Sequence, residues 1–197
     1  MSQELLTPRI IIYPQGSIRP EHATDWISLP YFPGRTVFGD GSHPTTRLCA
    51  GAVDFICRQS IQNSVLDVGT GTGILARIAR ARGASFIAGT DICLDALSSA
   101  RAHSDLDTHP VEILISDSTP DYLGERFNLV IANILEQPLC ELASQLMAAL
   151  APQGVLLLSG FTRIQSPRLR VIFSNLGMIF ESESHLNEWS LLMFRKP

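Results

Sequence analysis

Short apolar runs and longer stretches with apolar positions at helical spacing take turns along most of this chain. Val65–Val68, Phe86–Thr90, Val111–Ile115, Asn128–Ala132 and Val155–Ser159 read as strands, the last of them central because it is apolar without alternation. Between them, helices are expected from about Thr45 to Arg58, Ile74 to Arg82, Leu94 to Ala102, Pro138 to Leu150 and Ser166 to Leu176. The first carries an apolar stripe of Leu48, Cys49, Ala52, Val53, Phe55 and Ile56. This alternation predicts βα units and a parallel sheet. Met178–Glu181 and Trp189–Arg195 break the rule, because only a polar loop joins them. A final strand inserted as a hairpin runs antiparallel to the rest. The expectation is an α/β fold with a seven-stranded, mostly parallel sheet and an antiparallel last strand.

The first 37 residues are patterned differently. Ile10–Tyr13, Trp26–Leu29 and Thr36–Phe38 are brief strand candidates separated by prolines and glycines. They predict a lip of two or three small strands, too little for an independent domain. The expected division is an extension at 1–37 and one main domain at 38–197.

Composition narrows the class. A chain of 197 residues with 45% hydrophobic content suffices for one sizeable core. The formal net charge of −4 argues against non-specific nucleic-acid binding, so no direct nucleic-acid partner is expected. Cys49, Cys57, Cys93 and Cys140 are scattered, with no C-x-x-C pair. They read as thiols in a reducing compartment, without a metal site. The opening residues do not form a signal peptide and no run reaches membrane-span length, so a soluble cytoplasmic protein is expected. His103 and His109 flank or lie in the polar stretch 104–110 and are expected to be solvated, and 121–126 reads as a loop or short helical turn.

The chemistry gathers at strand ends. Val65 to Gly73 reads Val-Leu-Asp-Val-Gly-Thr-Gly-Thr-Gly, a strand running into glycines at alternate positions and then a helix. Such a turn lets backbone approach a nucleotide-like ligand closely. The G-x-G-x-G spacing differs from the dinucleotide G-x-G-x-x-G. Asp67 would repel a pyrophosphate but suits a ligand carrying a cation. Asp91 ends the next strand, the usual position of a ribose-binding acid. Asp117 follows the third strand, where it can accept from an adenine amino group. Together these suggest S-adenosylmethionine. Asn133 ends the fourth strand, and its side-chain carbonyl can accept the hydrogens of an amine and so aim the nitrogen lone pair. The loop Phe38-Gly39-Asp40-Gly41-Ser42-His43-Pro44-Thr45-Thr46 reads either as a turn starting a helix or as a flap with His43 and Thr45 near substrate.

Three segments carry a family resemblance: Phe38-Gly39-x-Gly41-x-His43-Pro44-Thr45-Thr46, Leu66 to Leu75, and Ala132-Asn133-Ile134-Leu135 with Pro138-Leu139. Leu158-Ser159-Gly160, Gln165 and Glu188-Trp189 extend it. From about Pro33 to Arg195 the chain resembles the PrmA family, bacterial methyltransferases of the large-subunit ribosomal protein L-eleven. The resemblance implies a Rossmann-like class I S-adenosylmethionine-dependent methyltransferase. It places Asp67, Gly69, Thr70, Gly71, Asp91, Ile92, Asp117 and Asn133 against the cofactor, with Phe38 and Thr45 in a loop folding over it. Asn133 and His43 become the catalytic candidates, and Phe161, Glu188 and Trp189 the walls of a substrate pocket. Family members carry an N-terminal domain that holds the ribosomal protein, for which fewer than forty residues leave too little room here. Asp40 stands where the family usually has Thr, and the family's Asn-rich helix end is absent at Ser99 to His103.

The implied reaction is N-methylation of a protein amine, a lysine side chain or N-terminus, with the ribosomal protein or another protein as partner and no membrane involved. His43 or Glu136 is the candidate for helping with the proton. Methylation of a small molecule, or S-adenosylmethionine binding without catalysis, are the alternatives.

Overall fold

The computed structural model describes residues 4–21, 25–33, 37–60, 62–107, 113–117 and 127–197. Strands β1 (Glu4–Thr7), β2 (Ile10–Pro14) and β3 (Ile27–Tyr31) form a small sheet in which β1 is antiparallel and β3 parallel to β2. Then come α1 (Pro44–Gln59), β4 (Ser64–Val68), α2 (Ile74–Ala81), β5 (Phe86–Thr90), α3 (Leu94–Ser104), β6 (Ile113–Ser116) and β7 (Phe127–Asn133). Helices α4 (Glu136–Glu141) and α5 (Ala143–Ala149), strand β8 (Leu150–Thr162), helix α6 (Ser166–Asn175) and strands β9 (Ile179–Leu186) and β10 (Trp189–Arg195) complete it.

The main sheet has seven strands in the order β6-β5-β4-β7-β8-β10-β9. β10 pairs antiparallel with both neighbours, while β4 to β8 run parallel. The hairpin that inserts β10 turns at Asn187, whose φ of 56° is a left-handed conformation that asparagine tolerates well. Chain order reverses beside β4, so the carboxyl ends of β4 and β7 border the crevice where ligands of such sheets sit.

Alternation along the strands builds two cores. Val65, Leu129, Ile131, Val155 and Leu157 face α1 and α2, whereas Leu66, Val130, Ala132, Leu156 and Leu158 face α4, α5 and α6. Both faces are covered, which is why these strands read as nearly unbroken apolar runs.

Several expectations change. Leu6, Ile10, Ile12, Ile27 and Leu29 are buried in the same core as α1 and α2, so the small N-terminal strands pack onto the main fold. Their third strand is β1; Val37 and Phe38 lie in bends, and Thr36 is outside the described residues. The helix expected over 138–150 is two helices meeting at Leu142, and Leu150 already belongs to β8. His103 is buried, not solvated: its Nδ1–H donates to the Ser99 carbonyl at 2.8 Å and its Nε2 accepts the Phe32 N–H at 3.2 Å. His109, the residues 111–112 and the segment 121–126 fall outside the described residues. Among those described, no helix is long and apolar enough to cross a membrane.

Charge also ties the two sheets together. Arg77, 2% exposed, donates to the Pro30 carbonyl of β3 at 2.8 Å and pairs with Asp107 at 2.7 Å. Arg77 grips both oxygens of that carboxylate, and Arg80, also buried, shares Oδ2 with it. Removing that carboxylate leaves two guanidiniums poorly compensated. Asp107→Asn is expected to cost about 3 kcal/mol, the usual scale for breaking a buried pair. Urea denaturation reads it as a lowered midpoint, and an unchanged midpoint would show that solvent already screens the cluster.

Candidate functional site

The site is assembled at the carboxyl ends of β4, β5 and β7. After Val68 the chain turns through Gly69 (φ 70°) and Gly71 (φ 56°), conformations that L side chains rarely adopt. The N–H groups of Gly69 and Thr70 both donate to the Thr90 carbonyl, at 2.8 and 2.9 Å, pinning the turn to β5. Asp91 braces it from the same side: Oδ2 accepts the Gly71 N–H and Oδ1 the Cys93 N–H, each at 3.0 Å. A Cβ on Gly69 would lie 2.2 Å from Cγ2 of Ile134, and one on Gly71 2.3 Å from the Phe38 carbonyl oxygen. The end of β7 and the loop before α1 therefore close on the turn from two directions.

Asp67 lies beneath the turn, 1% exposed. Its Oδ2 accepts from the Thr70 hydroxyl at 2.8 Å, and its Oδ1 has no hydrogen bond of normal geometry. Burial pushes its carboxyl up to about 6, opposed by Thr70 and by the nearby Ala76 amide at the start of α2, with the Asp91 charge adding to the rise. Asn133 ends β7 at 8% exposure, and its Oδ1 is likewise buried without a partner. Beside Asn133, Gly160 passes so close to Ile134 that a Cβ there would meet its carbonyl oxygen at 2.2 Å.

His43 caps α1. Its Nδ1 accepts the Thr45 N–H at 3.3 Å and lies 2.7 Å from the Thr45 hydroxyl. Nδ1 is thus engaged by Thr45 at the helix cap, and Nε2 is the ring nitrogen that takes no part in the cap. Its ring packs against Phe38, centroids 5.2 Å apart, and edge-on to Trp189 at 4.6 Å. Loop, helix cap and last strand thus meet in one aromatic wall.

The other sequence candidates divide. Thr45 is fully buried, Phe38 half exposed and Ile92 97% exposed; Asp117 and Glu188 lie on the surface. Phe161 is a correction. It is fully buried in the core against α4, α5 and α6. Strict alternation from Val155 and Leu157 would turn it toward α1 and α2, but the pairing with β10 skips Gly160, and this bulge turns Phe161 to the opposite face. Glu136 is engaged by Gln165 at 2.9 Å and Arg168 at 3.2 Å, which commits it to joining α4 and α6. Thr72, Ile134 and Gly160 lie in segments that carry the family resemblance, but sequence alone gives them no role in the site. The glycines at 39 and 160 were the available sign that backbone passes close there.

The acceptors gathered here, two of them buried and unpartnered, suit a ligand bearing hydroxyls, amino groups and positive charge, and oppose a phosphate. With the sheet order, the antiparallel insertion and the turn after β4, they define a Rossmann-like class I methyltransferase fold. The chain belongs to the family described as "Ribosomal protein L11 methyltransferase (PrmA)", whose sequence model matches residues 5–197. It is 38% identical over 158 residues to the ribosomal protein L11 methyltransferase of Geobacter metallireducens, covering 80% of this chain and 51% of that protein. The chain spans about half the length of the curated relatives it matches. A crystal structure of a ribosomal protein L11 methylase from Lactobacillus delbrueckii subsp. bulgaricus superposes over 100% of both chains with a TM-score of 0.88 at 26% identity. The N-methyltransferase NodS of Bradyrhizobium japonicum, in complex with S-adenosyl-L-homocysteine, shares the fold alone: TM-score 0.63, 13% identity, 79% of this chain and 89% of that one.

Asp67 makes a pH prediction. Its pKa lies near 3.8 ordinarily and about 6 in the fold, so the native state binds its proton more tightly. Stability should fall as pH rises from about 4 to 6 and then level, a loss of roughly 3 kcal/mol from this group. Asp67→Asn should remove that slope, as measured by denaturation at several pH values. A slope equal to the parent's would assign the pH dependence elsewhere.

Proposed function

We propose that this chain carries the catalytic domain of an S-adenosylmethionine-dependent methyltransferase that methylates a protein amine, a lysine side chain or an N-terminus. Residues 38–197 make up that domain in this reading, and 1–37 precede it as an extension. The observation that carries it is the pair of buried acceptors without a hydrogen bond of normal geometry, Asp67 Oδ1 and Asn133 Oδ1, on neighbouring strands that end beside a glycine turn with no room for a side chain. The family's description and the L11 methyltransferases among its relatives support a ribosomal protein as the methyl acceptor and the cytoplasm as the place.

S-adenosylmethionine, when bound, supplies an activated methyl group on a sulfonium. The chain's residues do the rest by positioning. The Asp91 carboxylate, already fixed by two backbone N–H groups, offers its remaining lone pairs to ribose hydroxyls. Asp67, with the backbone of Gly69, Thr70 and Gly71, faces the cationic end, and a positive charge there favours its ionised form. Ile92 and Asp117, at the ends of neighbouring strands, serve the adenine side. Asn133 Oδ1 accepts a hydrogen of the incoming amine, which must be neutral to attack, and so orients its lone pair. The loop of Phe38 and Thr45 folds over the bound cofactor, and the Phe38, His43 and Trp189 rings together wall the acceptor, with Glu188 at the rim.

Two measurements test this. Asp91→Ala should weaken S-adenosylmethionine binding by calorimetry roughly tenfold or more, since it loses a charge-assisted hydrogen bond and a brace of the turn. An unchanged affinity with the fold retained would refute the ribose assignment. Labelled methyl from S-adenosylmethionine should enter a protein band of the source cell's lysate, and Asn133→Ala should cut that transfer roughly a hundredfold. Label confined to the low-mass fraction would identify a small-molecule acceptor, and none at all beside intact binding would leave a binding protein.

A further inference from the structure

We propose that Thr72 is a positioning residue. It fixes the loop carrying Phe38 and His43 directly onto the glycine turn, so that the acceptor wall is built on the cofactor's own support. The Thr72 N–H donates to the Phe38 carbonyl at 3.1 Å, and the Thr72 hydroxyl donates to the Gly39 carbonyl at 2.6 Å. Thr72 is 6% exposed and Gly39 is buried, so these bonds are shielded from water. The approach is as close as backbone allows. Gly39 has φ 100°, and a Cβ on it would lie 2.9 Å from the Thr72 hydroxyl oxygen; one on Gly71 would lie 2.3 Å from the Phe38 oxygen. Two glycines thus make room for one threonine to hold two successive carbonyls.

The consequence reaches the wall. Phe38 is half exposed, so its place depends on where its backbone is tied more than on its burial. Its ring touches His43, and His43 touches Trp189. The turn, by contrast, has its own attachments to Thr90 and Asp91. Losing the Thr72 hydroxyl would therefore free the Gly39 carbonyl and leave the loop held to the turn by the Thr72 N–H alone, loosening the acceptor side of the site while the turn stays in place.

The test uses the full chain as Thr72→Val, which keeps volume and N–H but not the hydroxyl, and Thr72→Ser, which keeps the hydroxyl. The first readout needs neither cofactor nor acceptor: the ring-current shifts of the His43 ring protons, set by Phe38 and Trp189, in a carbon-proton NMR spectrum. Thr72→Val should move them toward values of a free histidine, and Thr72→Ser should leave them. Should the valine variant not fold, Gly39→Ala, which pushes a Cβ against the same hydroxyl, should shift the same signals. The second readout is kinetic and rests on the methyltransferase reading. KM for the protein acceptor should rise about fivefold in Thr72→Val, one hydrogen bond's worth. The dissociation constant for S-adenosylmethionine should stay within about threefold, and the serine variant should restore KM. Unmoved His43 signals, a serine variant as impaired as valine, or cofactor affinity falling in step with KM would each overturn the proposal. A parent enzyme that methylates nothing would sink the functional reading, while the NMR comparison would still decide the role of Thr72.

Discussion

No side chain fits at residues 69 and 71, and the arrangement of the site follows from that. Ile134 of the segment after β7 occupies the space beside Gly69, and the Phe38 carbonyl the space beside Gly71. Two separate segments thereby close on one turn, one by a side chain and one by backbone. The turn is held in return by Thr90 at the end of β5 and by Asp91 just after it. Such crowding gives the precision that methyl transfer needs, because alignment of nucleophile and methyl is most of what the protein contributes.

Electrostatics give the crowded turn its chemical character. A carboxylate buried to the extent of Asp67 is costly, and its raised pKa is the measure of that cost. The start of α2, with its amide dipoles, eases the charge without neutralising it. A second acceptor, Asn133 Oδ1, is buried unpaired in the same crevice. Buried polar atoms are nearly always paired in folded proteins. Two exceptions at one sheet edge point to partners that arrive from outside, one cationic and one bearing N–H groups.

The small N-terminal sheet takes part in this framework. Its strands share a core with α1 and α2, the helices that begin at the His43 cap and at the glycine turn. Arg77 ties β3 to α2, and His103 ties the residue after β3 to α3. These polar ties lie within the described part of the family match, which itself starts at residue 5.

The sequence alone settled the parts that depend on local pattern. Strand and helix periodicity yielded the seven strands and the antiparallel insertion of the last, because parallel strands need crossovers and a polar loop without a helix cannot supply one. The glycine turn, Asp91 and Asn133 were legible because glycine spacing and a polar residue ending an apolar run are local signals. What touches what across the chain was not. Phe161 looked like a pocket wall, but a bulge at Gly160, set by the pairing with β10, turns it into the core. His103 looked solvated, but the Phe32 amide, 71 residues away in the chain, buries it. The contact of His43 with Trp189 and the grip of Thr72 on the Phe38 loop depend on meetings between segments with no shared period. Only tertiary structure, by fixing distances between residues remote in sequence, decided them.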